Sequence, residues 1–141
     1  NKQDLQTTLD FEMQQVSSTD TEQIMERLRQ FKQAQVLRVA ATDILGQMPL
    51  MKVSDQLTWI AESILQTTLN IAYAQLTQKH GEPCYIDSNS PNRSTAQFAI
   101  IGYGKLGGIE LGYGSDIDIV FIPILYREYN ELSIIMFCVV V

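Results

Sequence analysis

The sequence predicts an α+β fold, in which an N-terminal helical region is followed by two β-strands and a glycine-rich loop. Apolar residues recur at helical spacing as far as residue 80, whereas from residue 97 onward short β-branched runs alternate with glycines. Turn-forming residues are concentrated between these two parts. We therefore expect a helical region at 1–80, a linker at 81–96, a strand-containing core at 97–122 and a divergent tail at 123–141.

The first two helices are predicted from their spacing and their end signals. Residues 1–16 are polar and rich in glutamine, with apolar residues four positions apart. Thr19 and Glu22 have the spacing of a capping box, which predicts the start of the second helix. Its apolar stripe runs to about Leu45, and Gly46 is placed to end it.

A third, longer helix is predicted from an apolar face that covers residues 57–76. Ser54 is the expected N-cap, because its hydroxyl can accept a hydrogen bond from the first turn. Pro49 is expected to prevent an earlier start. Gly81, after the basic residues of the last turn, is expected to end the helix.

Composition excludes several classes of protein. Sixteen acidic and ten basic residues give a net charge of −6, which argues against a nucleic-acid partner because phosphate neutralisation requires clustered Lys and Arg. His80, Cys84 and Cys138 are too few and too dispersed for a Cys/His zinc site or a Cys–His catalytic pair. No apolar run approaches the roughly 20 residues that span a bilayer. No membrane partner is expected, and the cytoplasm is the expected location.

Two acidic residues begin the second predicted strand, Asp116–Ile122. Residues i and i+2 of a strand point to the same face, so we expect Asp116 and Asp118 to project together, about 7 Å apart at their Cα atoms. Ile117, Ile119 and Phe121 are then expected on the opposite face. Paired carboxylates suit Mg²⁺, which is usually held by one or two carboxylates and by substrate phosphates. The sequence therefore predicts a magnesium site at Asp116 and Asp118.

The glycine-rich loop GYGKLGG follows the first predicted strand, Gln97–Ile101, and is the expected nucleotide-binding element. Gly104, Gly107 and Gly108 allow backbone N–H groups to approach a triphosphate closely. Lys105 is expected to balance phosphate charge. Ser115 either caps the turn before the acids or donates to a phosphate oxygen.

Two better-known phosphate-binding patterns do not fit this loop. Residues 102–107 match GxGxxG, but only Gly108–Ser115 separate the loop from the next strand, which is too short for the crossover helix of a dinucleotide-binding unit. A P-loop is excluded because Leu106 and Ala99 stand where it requires Ser or Thr and its first glycine. A D-x-D pair alone is usually a solvated polar face, and glycines alone are usually a turn. Their combination after a buried strand is what indicates a site.

The pattern Tyr103-Gly104-Lys105, ten residues and then Asp116-Ile117-Asp118-Ile119 resembles the signature of polymerase-β-like nucleotidyltransferases. Lys105 departs from the usual Gly or Ser of that signature. The run GYGKLGGIELGYGSDIDIVFI and the upstream stretch FKQAQVLRVAATDILGQMPLMKVSDQLTWIAE closely resemble the bacterial glutamine synthetase adenylyltransferases (glutamate–ammonia-ligase adenylyltransferases). This resemblance covers roughly Leu28 to Ile122.

The resemblance implies a polymerase-β-like core and an enzyme that regulates nitrogen assimilation. One half of that family transfers AMP from ATP to a tyrosine of glutamine synthetase, and the other half removes it by phosphorolysis. The segments ELGYGSD and MPLMKVSD are more similar to the half that attaches AMP than to the half that removes it. The implied cofactor is Mg²⁺, held by Asp116 and Asp118, with ATP as substrate. Glutamine synthetase is the implied partner, together with a PII-type nitrogen regulatory protein in the full-length enzyme.

Other hypotheses remain open at the level of sequence. One is the deadenylylating half of the same family. Another is a non-catalytic helical module, in which residues 19–80 only dock a partner. A nucleotidyltransferase for small molecules such as antibiotics is disfavoured, because the upstream resemblance would then be a coincidence.

The C-terminal stretch departs from the resemblance. The family supplies a third acid from a later strand, and neither Glu128 nor Glu131 has a matching motif around it. The last eight residues, Ile134–Val141, are uninterrupted apolar residues that would favour aggregation if exposed. We therefore hypothesise a fragment, or a tail that follows a frameshift, with little transferase activity on its own.

Overall fold

The computed structural model describes residues 1–17, 19–86, 93–124 and 138–140, and its fold is α+β as predicted. Three helices precede a group of short strands, and a single helical turn lies between the two longest strands. The elements are α1 (Lys2–Met13), α2 (Thr21–Ile44), α3 (Leu50–His80), β1 (Cys84–Ile86), β2 (Arg93–Thr95), β3 (Gln97–Tyr103), α4 (Gly104–Gly107), β4 (Asp118–Ile124) and β5 (Cys138–Val140).

The start of α2 differs from the prediction by one residue. The N-cap is Asp20, whose Oδ1 accepts a hydrogen bond from the Gln23 N–H at 3.0 Å. The predicted capping box of Thr19 and Glu22 is therefore wrong. An ionised carboxylate is a stronger acceptor than a hydroxyl and is also favoured at the positive end of the helix dipole, which explains the shift.

The third helix begins four residues before the predicted N-cap. Pro49 has an extended backbone (ψ 146°), and its carbonyl oxygen accepts from the N–H groups of Lys52 at 2.8 Å and Val53 at 3.2 Å. Pro49 therefore starts α3, and Ser54 is a residue of the helix that was wrongly predicted to be its N-cap. A proline is well suited to a helix start because the N–H that it lacks would have no helical partner there.

The predicted helix ends are confirmed. Gly46 follows α2 with φ +65°, and Gly81 follows α3 with φ +81°. Glycine tolerates these left-handed conformations, in which an L side chain would be strained. In the last turns of α3, the Tyr73 hydroxyl donates to the Ala96 carbonyl oxygen at 3.4 Å, which joins the helix to the chain just before β3.

The strands form two small antiparallel sheets. β1 pairs with β2, so the predicted linker 81–96 contains strand structure that its turn-rich composition did not indicate. The second sheet has the order β4-β3-β5 and is one strand larger than predicted. β3 and β4 pair antiparallel, with Gln97 opposite Ile124 and Tyr103 opposite Asp118, which confirms that no parallel dinucleotide-binding unit is present in these residues.

One hydrophobic core joins the helices to the glycine-rich segment. Val39 of α2 and Val53 of α3 belong to the same buried cluster as Leu106 and Leu111, which follow β3. The remaining buried members are Leu57, Ile60 and Ala61 of α3. Burial of apolar surface on both sides therefore fixes the glycine-rich segment against α2 and α3.

The predicted divergent tail lies largely outside the described residues, and so do Glu128 and Glu131. Within it, residues 123–124 end β4, and the backbone of Cys138–Val140 pairs with β3. Of the helices that the structure describes, none combines the length and the apolar character required to cross a membrane.

Replacing Leu106 by Ala is expected to lower the free energy of unfolding by about 2–5 kcal/mol, because its side chain is fully buried (0% exposed) in the shared core. Leu37→Ala is the matched control, since Leu37 is 71% exposed on α2, and its effect should stay within about 0.5 kcal/mol. Denaturant unfolding followed by circular dichroism measures both. Equal effects of the two substitutions would contradict the assignment of Leu106 to the core.

Candidate functional site

Gly104 brings the glycine turn against the first acid of β4. Its backbone has φ +55°, and a Cβ atom built on it would lie only 2.9 Å from Asp118 Oδ2. The left-handed conformation therefore requires glycine at this position, and a Cβ atom would also displace the Asp118 carboxylate. The result is a backbone turn in direct contact with an acidic side chain.

A second close approach packs the turn onto the end of β3. A Cβ atom on Gly107 would lie 2.6 Å from the Gly102 carbonyl oxygen, a distance that no small adjustment of a side chain can relieve. Residues 104–107 form the single helical turn α4, where the sequence predicted a loop, and the Gly108 N–H closes it by donating to the Gly104 carbonyl oxygen at 2.9 Å. The GxGxxG spacing thus serves tight packing of the turn on its own strand.

The chain leaves this turn through a strained residue. Ile109 has φ +57°, which is the left-handed region that β-branched residues rarely adopt. The Glu110 N–H then donates to the Lys105 carbonyl oxygen at 2.8 Å, and Leu111 enters the core. The backbone is therefore sharply reversed between α4 and the acidic segment.

Asp118 lies at the first position of β4, directly opposite Tyr103 of β3. Its side chain is exposed, and alternation along the strand places it on the face opposite Ile119 and Phe121. Ile119 packs against the core, and the Phe121 ring stacks on Phe98 with centroids 5.9 Å apart. These contacts agree with the predicted apolar face at Ile119 and Phe121, but Asp118 is the only acid within β4, so the strand does not present the predicted pair of acids on one face.

Asp116 does not belong to the strand, which corrects the predicted strand Asp116–Ile122. The register of β3 and β4 would place Asp116 opposite Lys105, where the chain has already turned into α4. No strand partner is available there, so the alternation rule does not determine the direction of this side chain. Asp116 is exposed and lies between the loop 111–115 and the start of β4.

That loop contains a turn closed by Ser115. Ser115 Oγ accepts from the Gly112 N–H at 2.9 Å, and the Ser115 N–H donates to the Gly112 carbonyl oxygen at 3.2 Å. Of the two predicted roles of Ser115, capping is the one that the structure contains. The hydroxyl proton is not used in this cap and can still be donated. Lys105 is exposed on α4.

Two hydrogen bonds to the helices were not expected from the sequence. Ser54 Oγ donates to the Leu111 carbonyl oxygen at 3.2 Å, and the Tyr113 hydroxyl donates to Asp43 Oδ2 at 2.9 Å. The bonded residues are 57 and 70 positions apart, so no local pattern could indicate them. Together they attach the loop to α3 and to the end of α2.

The two acids suit a hard divalent cation that is shared with a ligand. Across residues 1–17, 19–86, 93–124 and 138–140, no three His, Cys, Asp or Glu side chains gather into a group that could hold a metal ion. Mg²⁺ does not require such a cage, because water and phosphate oxygens complete its octahedral shell around one or two carboxylates. The exposed Asp118 carboxylate, which lies against the glycine turn, and the exposed Asp116, two residues before it, are therefore ligand types that Mg²⁺ accepts together with a phosphate.

Comparisons with known proteins identify the family of this chain. Residues 1–132 match the family model described as glutamate-ammonia ligase adenylyltransferase. Over 123 residues the chain is 56% identical to the bifunctional glutamine synthetase adenylyltransferase/adenylyl-removing enzyme of Thioalkalivibrio sulfidiphilus. The aligned region covers 86% of this chain and 12% of that relative, so the chain spans only a small part of the relative's length.

The chain therefore belongs to the glutamate-ammonia ligase adenylyltransferase family, which confirms the resemblance stated from the sequence. The family match also extends further than that resemblance. It begins at residue 1 and ends at residue 132, ten residues beyond Ile122.

Replacing Gly104 by Ala is expected to lower the free energy of unfolding by about 1–2 kcal/mol, because alanine is strained at φ +55° and its methyl group would meet Asp118. Gly114→Ala is the matched control, since a Cβ there meets no atom within 4 Å, and its effect should stay within about 0.5 kcal/mol. Denaturant unfolding measures both. A neutral Gly104→Ala variant would contradict the close approach.

The bond between Tyr113 and Asp43 should be visible in a pH titration. Desolvation of the phenol, the hydrogen bond to Asp43 and the charge of that carboxylate all raise the pKa of Tyr113 above its ordinary value of 10.0. A raised pKa in the folded state means that this contribution to stability is complete below pH 10 and is lost as the pH rises further. Asp43→Ala is expected to lower the pKa of Tyr113. Tyrosinate absorbance, taken as the difference between each protein and its Tyr113→Phe variant, measures this, and identical titrations would refute it.

Proposed function

We propose that this chain carries the ATP- and Mg²⁺-binding part of an enzyme that transfers AMP to a tyrosine of glutamine synthetase. The observation that carries the proposal is the contact between the Asp118 carboxylate and the glycine turn at Gly104. It combines a cation ligand with a backbone that can approach a phosphate. Membership of the adenylyltransferase family supports the same chemistry, and the relative's name supplies the target.

Each part of the site has a role in holding the triphosphate. The backbone of the glycine turn would approach the phosphate oxygens, since Gly104, Gly107 and Gly108 have no side chains of their own to hold a phosphate away. Lys105, exposed on α4, would balance phosphate charge, and the hydroxyl proton of Ser115 would be donated to a phosphate oxygen. These groups orient the α-phosphate for attack in line with the bond to the leaving group.

Asp116 and Asp118 would hold Mg²⁺, which when bound neutralises charge that develops on the phosphate oxygens. The tyrosine oxygen of the target forms a bond to the α-phosphorus, while the bond from this phosphorus to the bridging oxygen breaks. Pyrophosphate leaves with that electron pair, and the phenolic proton is released. The exposure of both acids is compatible with a protein side chain as the acceptor of AMP.

The attaching direction is the one that we propose, because the segments ELGYGSD and MPLMKVSD resemble the attaching half of the family. Removal of AMP is the second candidate, since the name of the Thioalkalivibrio sulfidiphilus relative contains both activities. In that reaction, inorganic phosphate attacks the phosphorus of AMP-tyrosine and releases ADP and free tyrosine. We further propose a cytoplasmic location, and a PII-type protein as a regulator of the full-length enzyme.

Asp116→Asn and Asp118→Asn are each expected to lower the rate of AMP transfer about a thousandfold, because loss of a metal ligand removes several kcal/mol of transition-state stabilisation. The assay uses a full-length enzyme in which the 123 residues of this chain that align with the Thioalkalivibrio sulfidiphilus relative replace the aligned segment of that relative. Incorporation of labelled AMP into glutamine synthetase measures the rate. We call this protein the exchanged enzyme.

Glu110→Gln is the matched control, since it removes an equal charge from an exposed residue of the same loop and should retain the parent rate. Normal transfer by both Asp variants would refute the proposed site. Release of ADP from AMP-tyrosine, without transfer from ATP, would favour the removing direction. A protein that neither reacts nor binds Mg-ATP in isothermal titration would support the helical docking module.

A further inference from the structure

The two acids are held in place by different means. Asp118 is fixed by the sheet, where it pairs with Tyr103. Asp116 precedes the strand and directly follows residues 111–115, which belong to no helix or strand. These residues pack loosely on one side, because a cavity of about 180 Å³ lies between the loop, α2 and α3, with Lys32, Leu65 and Ile117 in its lining. Core packing holds Leu111, whereas Gly112, Tyr113 and Ser115 border the cavity, so packing alone does not hold the turn 112–115.

Hydrogen bonds from α2 and α3 hold the loop in place. Ser54 holds the carbonyl of Leu111 where the chain leaves the core, and Asp43 holds the hydroxyl of Tyr113 at the tip of the turn. Between them, the reciprocal bonds of Gly112 and Ser115 make the turn rigid. A turn that is closed internally and attached at two points has little freedom left, and Asp116 directly follows it.

We propose that Tyr113, Asp43 and Ser54 are positioning residues that fix Asp116 for metal binding through the turn 112–115. This inference rests on the proposed function and extends it to the helical part of the chain. The phenol of Tyr113 does not contact the reacting atoms. It keeps the loop in the one arrangement in which both carboxylates serve the same cation.

The test uses the exchanged enzyme and measures kcat, the KM for glutamine synthetase and the Mg²⁺ concentration that gives half the maximal rate. Tyr113→Phe, Asp43→Ala and Ser54→Ala should each lower kcat about tenfold, the factor that corresponds to the loss of one hydrogen bond. Each should also raise the Mg²⁺ requirement, while the KM for glutamine synthetase stays unchanged. The double variant of Tyr113→Phe and Asp43→Ala should be no worse than either single variant, because both remove the same bond.

Two further variants separate positioning from a general effect on folding. Asp43→Asn keeps an oxygen that can accept from Tyr113 and should restore most of the rate lost in Asp43→Ala. Tyr73→Phe is the matched control, since it also removes a hydroxyl that donates to one acceptor, the Ala96 carbonyl oxygen, away from the loop. It should retain the parent kcat and Mg²⁺ requirement.

Parent values of kcat and Mg²⁺ requirement in Tyr113→Phe and Asp43→Ala would overturn the inference. A lowered melting temperature with an unchanged Mg²⁺ requirement would also overturn it, because that result indicates a structural role alone. The outcome is distinguishable from failure of the proposed function. If the proposed function is wrong, Asp116→Asn and Asp118→Asn will themselves keep the parent rate, whatever the effect of the Tyr113 variants.

Discussion

The close approach of backbone to backbone after β3 is the constraint on which the candidate site depends. The chain can turn back at Gly104 and lie against Gly102 only because neither Gly104 nor Gly107 carries a Cβ atom. This fold-back delivers Leu106 to the core and leaves room for the carboxylate of Asp118 beside the turn. The absence of a Cβ atom at Gly104 and Gly107 therefore explains the shape of the turn, the burial of Leu106 and the position of Asp118.

The helical region is structurally part of the site rather than a separate support. Leu106 and Leu111 share a core with α2 and α3, and the two hydrogen bonds at Leu111 and Tyr113 come from the same helices. A change in the packing of α2 on α3 would thus reach the acidic segment through direct contacts. Coupling of this kind requires a contiguous physical path, and the shared core provides one.

The sequence predicted what depends on local chemistry. The α+β class, the glycines that end α2 and α3 and the exclusion of a dinucleotide-binding unit were all accessible from spacing and composition. The starts of α2 and α3 were predicted less well. Asp20 competes with Thr19 as the N-cap of α2, and a proline such as Pro49 can begin a helix as well as prevent one. Several adjacent residues can satisfy the same end of a helix, and only their contacts decide.

Long-range pairing was the part that sequence could not supply. The segments 84–86 and 93–95 are only three residues long and lie within a polar, turn-rich stretch, so they are not recognisable as strands from sequence alone. Asp116 and Ile117 look like strand residues, yet β3 ends at Tyr103 and leaves them without a partner. The attachment of Tyr113 to Asp43 joins residues 70 positions apart and has no local signature at either end. In each case the deciding information lies in a distant segment.

The conformation of Ile109 gives a measure of how firmly this part of the chain is held. A β-branched side chain in the left-handed region costs about 1–2 kcal/mol relative to an ordinary conformation. The chain does not relax this residue, so the contacts on either side of it must together outweigh that cost. The strain at Ile109 therefore sets a lower bound on the stabilisation that the contacts of α4 and of Leu111 together contribute.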